Sequence, residues 1–101
     1  MIELRPEVRA FAEAMELKLR KNDHKGGWKE ESVRGFLFKR VQEETSELNF
    51  ALKDWSNAIQ MVQHGDAGIK LVEIQAKKVL SEAVDVANFC RMIADNAGTL
   101  K

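Results

Sequence analysis

Apolar residues in this chain recur at three- and four-residue steps over long stretches, the signature of amphipathic helices. From Glu7 to about Lys21 the stripe is Val8, Phe11, Ala12, Met15 and Leu19. The only proline, Pro6, stands where that helix begins, a position that tolerates a missing N–H. Asn22, Asp23, Gly26 and Gly27 interrupt the pattern, so NDHKGGW is predicted as a loop. A second helix is expected from Ser32, an N-cap type of residue, to about Asp54. Its stripe is Val33, Leu37, Val41, Leu48, Ala51 and Leu52, with Gly35 inside it at a cost of about 1 kcal/mol relative to alanine. Ser56 is placed to cap a short third helix through Gln63, and HGDAG (His64 to Gly68) is the next break. From Ile69 to Ala97 no breaker occurs, and Gly98 suits the position after a helix end. Such a helix spans about 43 Å, whereas a compact domain of this size has a radius of gyration near 13 Å. It is expected to overhang its own domain and pack on another copy. The predicted fold is all-α, a single domain over residues 1–101. It is a four- to five-helix bundle with a long C-terminal helix, assembling as a homodimer or homotetramer.

Composition narrows the class. The chain has 101 residues, 45% of them hydrophobic, with 16 Lys plus Arg balancing 16 Asp plus Glu. A zero formal charge argues against a general nucleic-acid binder, whose phosphate contacts need a basic excess. No apolar run approaches a membrane span, and the first residues lack the apolar core of a signal peptide. One cysteine, Cys90, forms no internal disulfide and lies on an apolar stripe, where a buried, inert thiol is expected. A cytoplasmic location follows as the expectation.

The acids change the picture. On the last helix Val72, Ala76, Val79, Leu80, Ala83, Val86, Ala87, Cys90, Ala94 and Ala97 share one apolar stripe. Beside it runs an arc of Lys78, Glu82, Asp85, Phe89, Met92 and Asn96, in which acids alternate with large apolar groups. On the second helix Glu44 falls inside the apolar stripe, flanked by Glu43, Glu47, Phe36 and Arg40. A carboxylate on a buried stripe is costly unless it is paired, protonated or holding a cation. Two helices therefore each offer acids three residues apart, Glu44 with Glu47 and Glu82 with Asp85, each pair on one face. Four converging oxygen ligands suit Mg²⁺, or Mn²⁺ in its place. Spacing alone is weak, because about two or three such pairs arise by chance and the chain has three. The third pair, Glu13 with Glu16, lies opposite its helix's apolar stripe and reads as surface. Placement beside apolar stripes distinguishes the other two.

The strings EETSE (Glu43 to Glu47) and EAVD (Glu82 to Asp85) on successive helices resemble the MazG-like family of all-α nucleotide pyrophosphohydrolases. HKGGW before the second helix and DVANFCRMIADNAG after the second acid pair resemble the branch of dATP/dGTP pyrophosphohydrolases found in phages and bacteria. The likeness covers roughly residues 20–98. It departs from compact members in a longer stretch from Leu48 to Ser81, with an extra helical segment around Trp55 to Gln63. The resemblance implies Mg²⁺-dependent hydrolysis of a nucleoside triphosphate, a purine deoxynucleotide such as dGTP or dATP first, to the monophosphate and pyrophosphate. For a phage-encoded chain the setting would be the host cytoplasm. By the same analogy Glu44, Glu47, Glu82 and Asp85 hold the metal, and Glu43 orients or deprotonates the attacking water. A plain ion pair of Glu43 with Arg40 or Lys39 is the alternative.

Further candidates for substrate binding are His24 and Lys25 for phosphate or base edge, Trp28 and Phe89 for stacking on the base, Lys78 for phosphate, and Asn88 for a ligand or neighbouring chain. Each has a bland alternative: a solvated loop for His24 and Lys25, packing for Phe89, and an i, i+4 ion pair to Glu82 for Lys78. Trp55 is expected in the core or an interface, and His64 in a loop. A di-iron carboxylate bundle is excluded, since neither His24 nor His64 follows a glutamate by three residues. The remaining alternative is a non-enzymatic helical oligomerisation or regulatory module.

Overall fold

The computed structural model describes residues 2–22 and 30–98, with backbone only for 30–34. Among them are three helices: α1 (Pro6–Asn22), α2 (Glu30–Gln63) and α3 (Ile69–Asn96). The all-α expectation holds, but the second and third expected helices are one continuous rod of 34 residues, α2. Neither Asp54 nor Ser56 breaks it, because the inward-facing pattern runs through without a pause. Leu37, Glu44, Ala51 and Ala58 are buried at seven-residue intervals. Val41, Leu48, Trp55 and Val62, four residues after each, are half-buried. This 4–3 alternation is the heptad seam of packed helix pairs, and it is indifferent to a serine on the outer surface. Leu52, grouped with the stripe by sequence, is instead exposed, while Trp55 and Ala58 continue the inward line.

Both long helices end on glycines as the sequence indicates. Gly65 has φ of 78°, and its N–H donates to the carbonyl of Val62 at 3.1 Å while Asp66 N–H donates to that of Met61 at 2.8 Å. That is the paired closure of a Schellman motif. Gly98, with φ of 75°, donates to the Asp95 carbonyl at 3.0 Å and closes α3. The short connection 64–68 returns α3 antiparallel along α2, and α1 packs on α3.

α3 therefore has three faces. Glu82 and Phe89 look toward α2, and Ser81, Asp85 and Asn88 toward α1. The third face carries Ala76, Leu80 and Cys90, all exposed, with Ala83 and Ala87 half-buried among them. The stripe read from the sequence is thus divided, and the expectation of a buried Cys90 fails: the residue is exposed.

The interior is thin. Among the described residues the buried hydrophobic ones are Leu37, Ala51, Ala58 and Val84, and α1 buries none of its residues. The chain exposes 8063 Å², whereas a folded monomer of its mass exposes about 5,800 Å². Its radius of gyration, 16.6 Å, likewise exceeds the value of about 13 Å for a compact domain of this length. No described helix is long and apolar enough to cross a membrane.

Candidate metal centre

Midway along the α2–α3 pair, Glu44 and Glu47 from one helix meet Glu82 from the other. One carboxylate oxygen of each lies within 4.8 Å of the others. Ligands of an octahedral Mg²⁺ at about 2.1 Å stand about 3.0 Å apart when adjacent and about 4.2 Å apart when opposite. The three oxygens are thus spaced to close on one ion with a small inward movement.

Burial makes the arrangement expensive without a cation. Glu44 is only 4% exposed. Its Oε1 accepts a hydrogen bond from Arg40 Nη2 at 2.6 Å, but its buried Oε2 has no donor. Burial, then the charges of Glu47 and Asp85, push the Glu44 carboxyl up to about 7 against the opposing pull of Arg40. Glu82 is raised for the same reasons, burial first and then Glu47 and Asp85, with Lys18 opposing. Its Oε2 is also buried without a donor. Orphaned buried oxygens on acids from two helices are what an unpaired metal-ligand set looks like.

Two cations border the acids. Arg40, three and four residues before them on α2, pairs with both Glu43 and Glu44. Its guanidinium lies over the Phe89 ring, 5.4 Å from the centroid, a cation–π contact that fixes its height above α3. Lys18 reaches in from α1, with Nζ 2.8 Å from Ser81 Oγ and 3.2 Å from Asp85 Oδ1.

The sequence candidates separate accordingly. Glu44, Glu47 and Glu82 come together; Asp85 is beside them, near enough to act on the charge of Glu44 and Glu82, but bound to Lys18. Glu43 makes the ion pair with Arg40 that was its alternative. Phe89 supports Arg40 from below. Asn88 is buried, and its amide donates to the Met15 carbonyl of α1 at 3.3 Å. It therefore serves the α1–α3 contact, while its buried Oδ1 has no hydrogen-bond partner among the described residues. Lys78 is exposed on α3. His24, Lys25 and Trp28 lie outside the described residues.

Lys18 and Ser81 were missed in the sequence. Lys18 falls seven residues after Phe11, on the inward stripe of α1, so a lysine there was as anomalous as Glu44 on α2. No family model, curated protein or solved structure matches the chain.

Proposed function

We propose that the protein is a divalent-cation-dependent nucleoside triphosphate pyrophosphohydrolase, cleaving between the α and β phosphates to give a monophosphate and pyrophosphate. The observation that carries this is the convergence of carboxylate oxygens of Glu44, Glu47 and Glu82, together with the orphaned, buried Oε2 of Glu44. The resemblance of EETSE and EAVD to the MazG-like family adds the substrate class, with a purine deoxynucleotide first. In this proposal the enzyme acts in the cytoplasm.

In this proposal Glu44, Glu47 and Glu82, joined by Asp85, hold Mg²⁺ or Mn²⁺. When bound, such ions offset phosphate charge and lower the pKa of a coordinated water. Arg40 keeps Glu43 tied beside Glu44, where the Glu43 carboxylate can orient and accept a proton from the attacking water. Lys78, His24 and Lys25 supply cationic and polar contacts to the polyphosphate, and Trp28 and Phe89 flank the base.

The working form in this proposal is a homodimer or a dimer of dimers. The surface in excess of a compact monomer is about 2,200 Å², and a standard interface takes about 800 Å² from each partner. The third face of α3, from Ala76 to Ala94, is the surface on which a second copy would complete the thin core.

The test is a panel of the common NTPs and dNTPs with Mg²⁺ and with Mn²⁺, scored by pyrophosphate release. Release from at least one, lost in Glu47→Ala and Asp85→Ala, is the expected result. Silence across the panel with metal demonstrably bound overturns the hydrolase and leaves a helical oligomerisation module.

A further inference from the structure

The three acids that converge do not include Asp85, although it stands one turn after Glu82 on the same helix. Its Oδ1 is taken by Lys18 Nζ at 3.2 Å, and the same ammonium donates to Ser81 Oγ at 2.8 Å. Ser81 and Asp85 are four residues apart on α3, so together they form a two-point seat for one cation. That cation arrives from another helix, 63 positions before Ser81 in the chain, and its side chain is still 30% exposed. Arg40, by contrast, is held within α2 by neighbours one turn away and by the Phe89 ring. One charge at the site is therefore built into its helix, and the other is lent by α1.

We propose that Lys18 is a place-holding cation: it occupies Asp85 in the metal-free protein, gives way when a divalent ion takes that carboxylate, and is then left facing the polyphosphate. This rests on the metal site proposed above and gives α1 a role there. The chemistry is an exchange of like for like. A divalent ion competes for Asp85 with a monovalent ammonium that the chain itself supplies. Once displaced, the ammonium stays beside Glu82, whose charge it already acts on, and a polyphosphate carried in with the metal offers it oxygens. The two halves have opposite consequences for metal and for anion. Merely structural damage would weaken both.

Titrations of the metal-free full chain with Mn²⁺ alone, and then of the Mn²⁺-loaded chain with inorganic pyrophosphate, separate them. A unit charge about 6 Å from a divalent ion changes its affinity about tenfold in a water-like medium. Lys18→Met is expected to bind Mn²⁺ about tenfold more tightly than wild type at low ionic strength, and to bind pyrophosphate more weakly by a similar factor. The metal effect shrinks as salt is raised. Lys18→Arg, which keeps the charge, stays close to wild type in both. Ser81→Ala, which removes only the hydroxyl seat, tightens Mn²⁺ by a smaller factor and serves if Lys18→Met does not fold. Unchanged or weaker Mn²⁺ binding in Lys18→Met and Ser81→Ala overturns the role of Lys18 while leaving the metal site standing. Absence of Mn²⁺ binding in every protein, wild type included, overturns the metal site itself.

Discussion

Removing divalent metal should make the stability of this protein fall as pH rises through neutrality, the reverse of ordinary acid denaturation. Glu44 is the source. Its carboxyl stands at about 7 in the folded chain against an ordinary 4.5, through burial first and then the charges of Glu47 and Asp85. A group whose folded pKa is raised holds its proton more tightly when folded. Its contribution is complete below about pH 4.5 and is lost as pH climbs through about 7. The full displacement corresponds to on the order of 3 kcal/mol, and Glu82, raised by the same surroundings, acts in the same direction. Arg40, raised further above its ordinary value by its hydrogen bond to Glu43, and Lys18 from α1 also face the acids; Arg40 stays charged across this window and does not reverse the sign. For a domain of about 100 residues the change amounts to a fall of roughly 10 °C or more in melting temperature. The assay is thermal or urea denaturation in EDTA at pH 5, 6, 7 and 8, at fixed protein concentration. Glu44→Gln, which cannot ionise, should flatten the profile and melt above wild type at pH 8. Saturating Mg²⁺ should restore wild type at pH 8, by about 2.7 kcal/mol at a hundredfold excess over Kd, and do little for Glu44→Gln. A wild-type stability in EDTA that is level or rises from pH 5 to 8 would refute the assignment of Glu44 as an acid raised by burial and neighbouring carboxylates.

Three further outcomes are expected. Glu47→Ala and Asp85→Ala should each reduce pyrophosphate release by at least 10³-fold, a rough figure for losing metal-borne transition-state stabilisation; an unchanged helical circular-dichroism spectrum shows that the fold survives. Gly35→Ala should raise stability by up to about 1 kcal/mol, because a Cβ there meets nothing within 4 Å; a lower melting temperature would count against open space at that turn. Ala83→Arg on the third face of α3 should raise the dissociation constant of the assembly more than about 30-fold, the equivalent of losing about 2 kcal/mol at an interface core. Sedimentation velocity across a dilution series reads that change, and an assembly state identical to wild type would remove this face from the interface.

Most of the helical framework was legible because it depends on local rules. Pro6 at the start of α1, the break at HGDAG and Gly98 after α3 each act within one turn of the chain. Ser56 misled because a serine is equally at home as a cap and on a helix surface; the 4–3 burial pattern running from Leu37 to Val62 decides between them. Glu44 was legible as an anomaly, a charge on an apolar stripe, and Glu82 as an acid among large apolar groups. Cys90 was misplaced because periodicity shows that a face is apolar without showing which partner covers it. In a helix with three such faces, only packing assigns them. Lys18 and Asn88 depend on how α1 registers against α3, a contact between residues more than 60 positions apart. No pattern within either helix encodes that register.

Glu44 and Lys18 also bear on why few large side chains are buried among the described residues. A polar residue on each inward stripe takes a position where a leucine would add about 2 kcal/mol of burial, and the acid at the centre of α2 opposes folding when ionised. Such a sequence is poorly suited to a monomer that stands on its own packing. It is well suited to a chain whose remaining stability comes from outside: from a cation closing on Glu44, Glu47 and Glu82, and from a second copy on the alanine face of α3. The two sources are separable, because Glu44, Glu47 and Glu82 meet between α2 and α3 while the alanines of α3 lie on its other side. Metal removal should therefore destabilise the helix pair without dissolving the assembly. Ala83→Arg should dissolve the assembly and leave the Mn²⁺ affinity of each chain within a factor of about three, well under the tenfold change expected for altering one nearby charge.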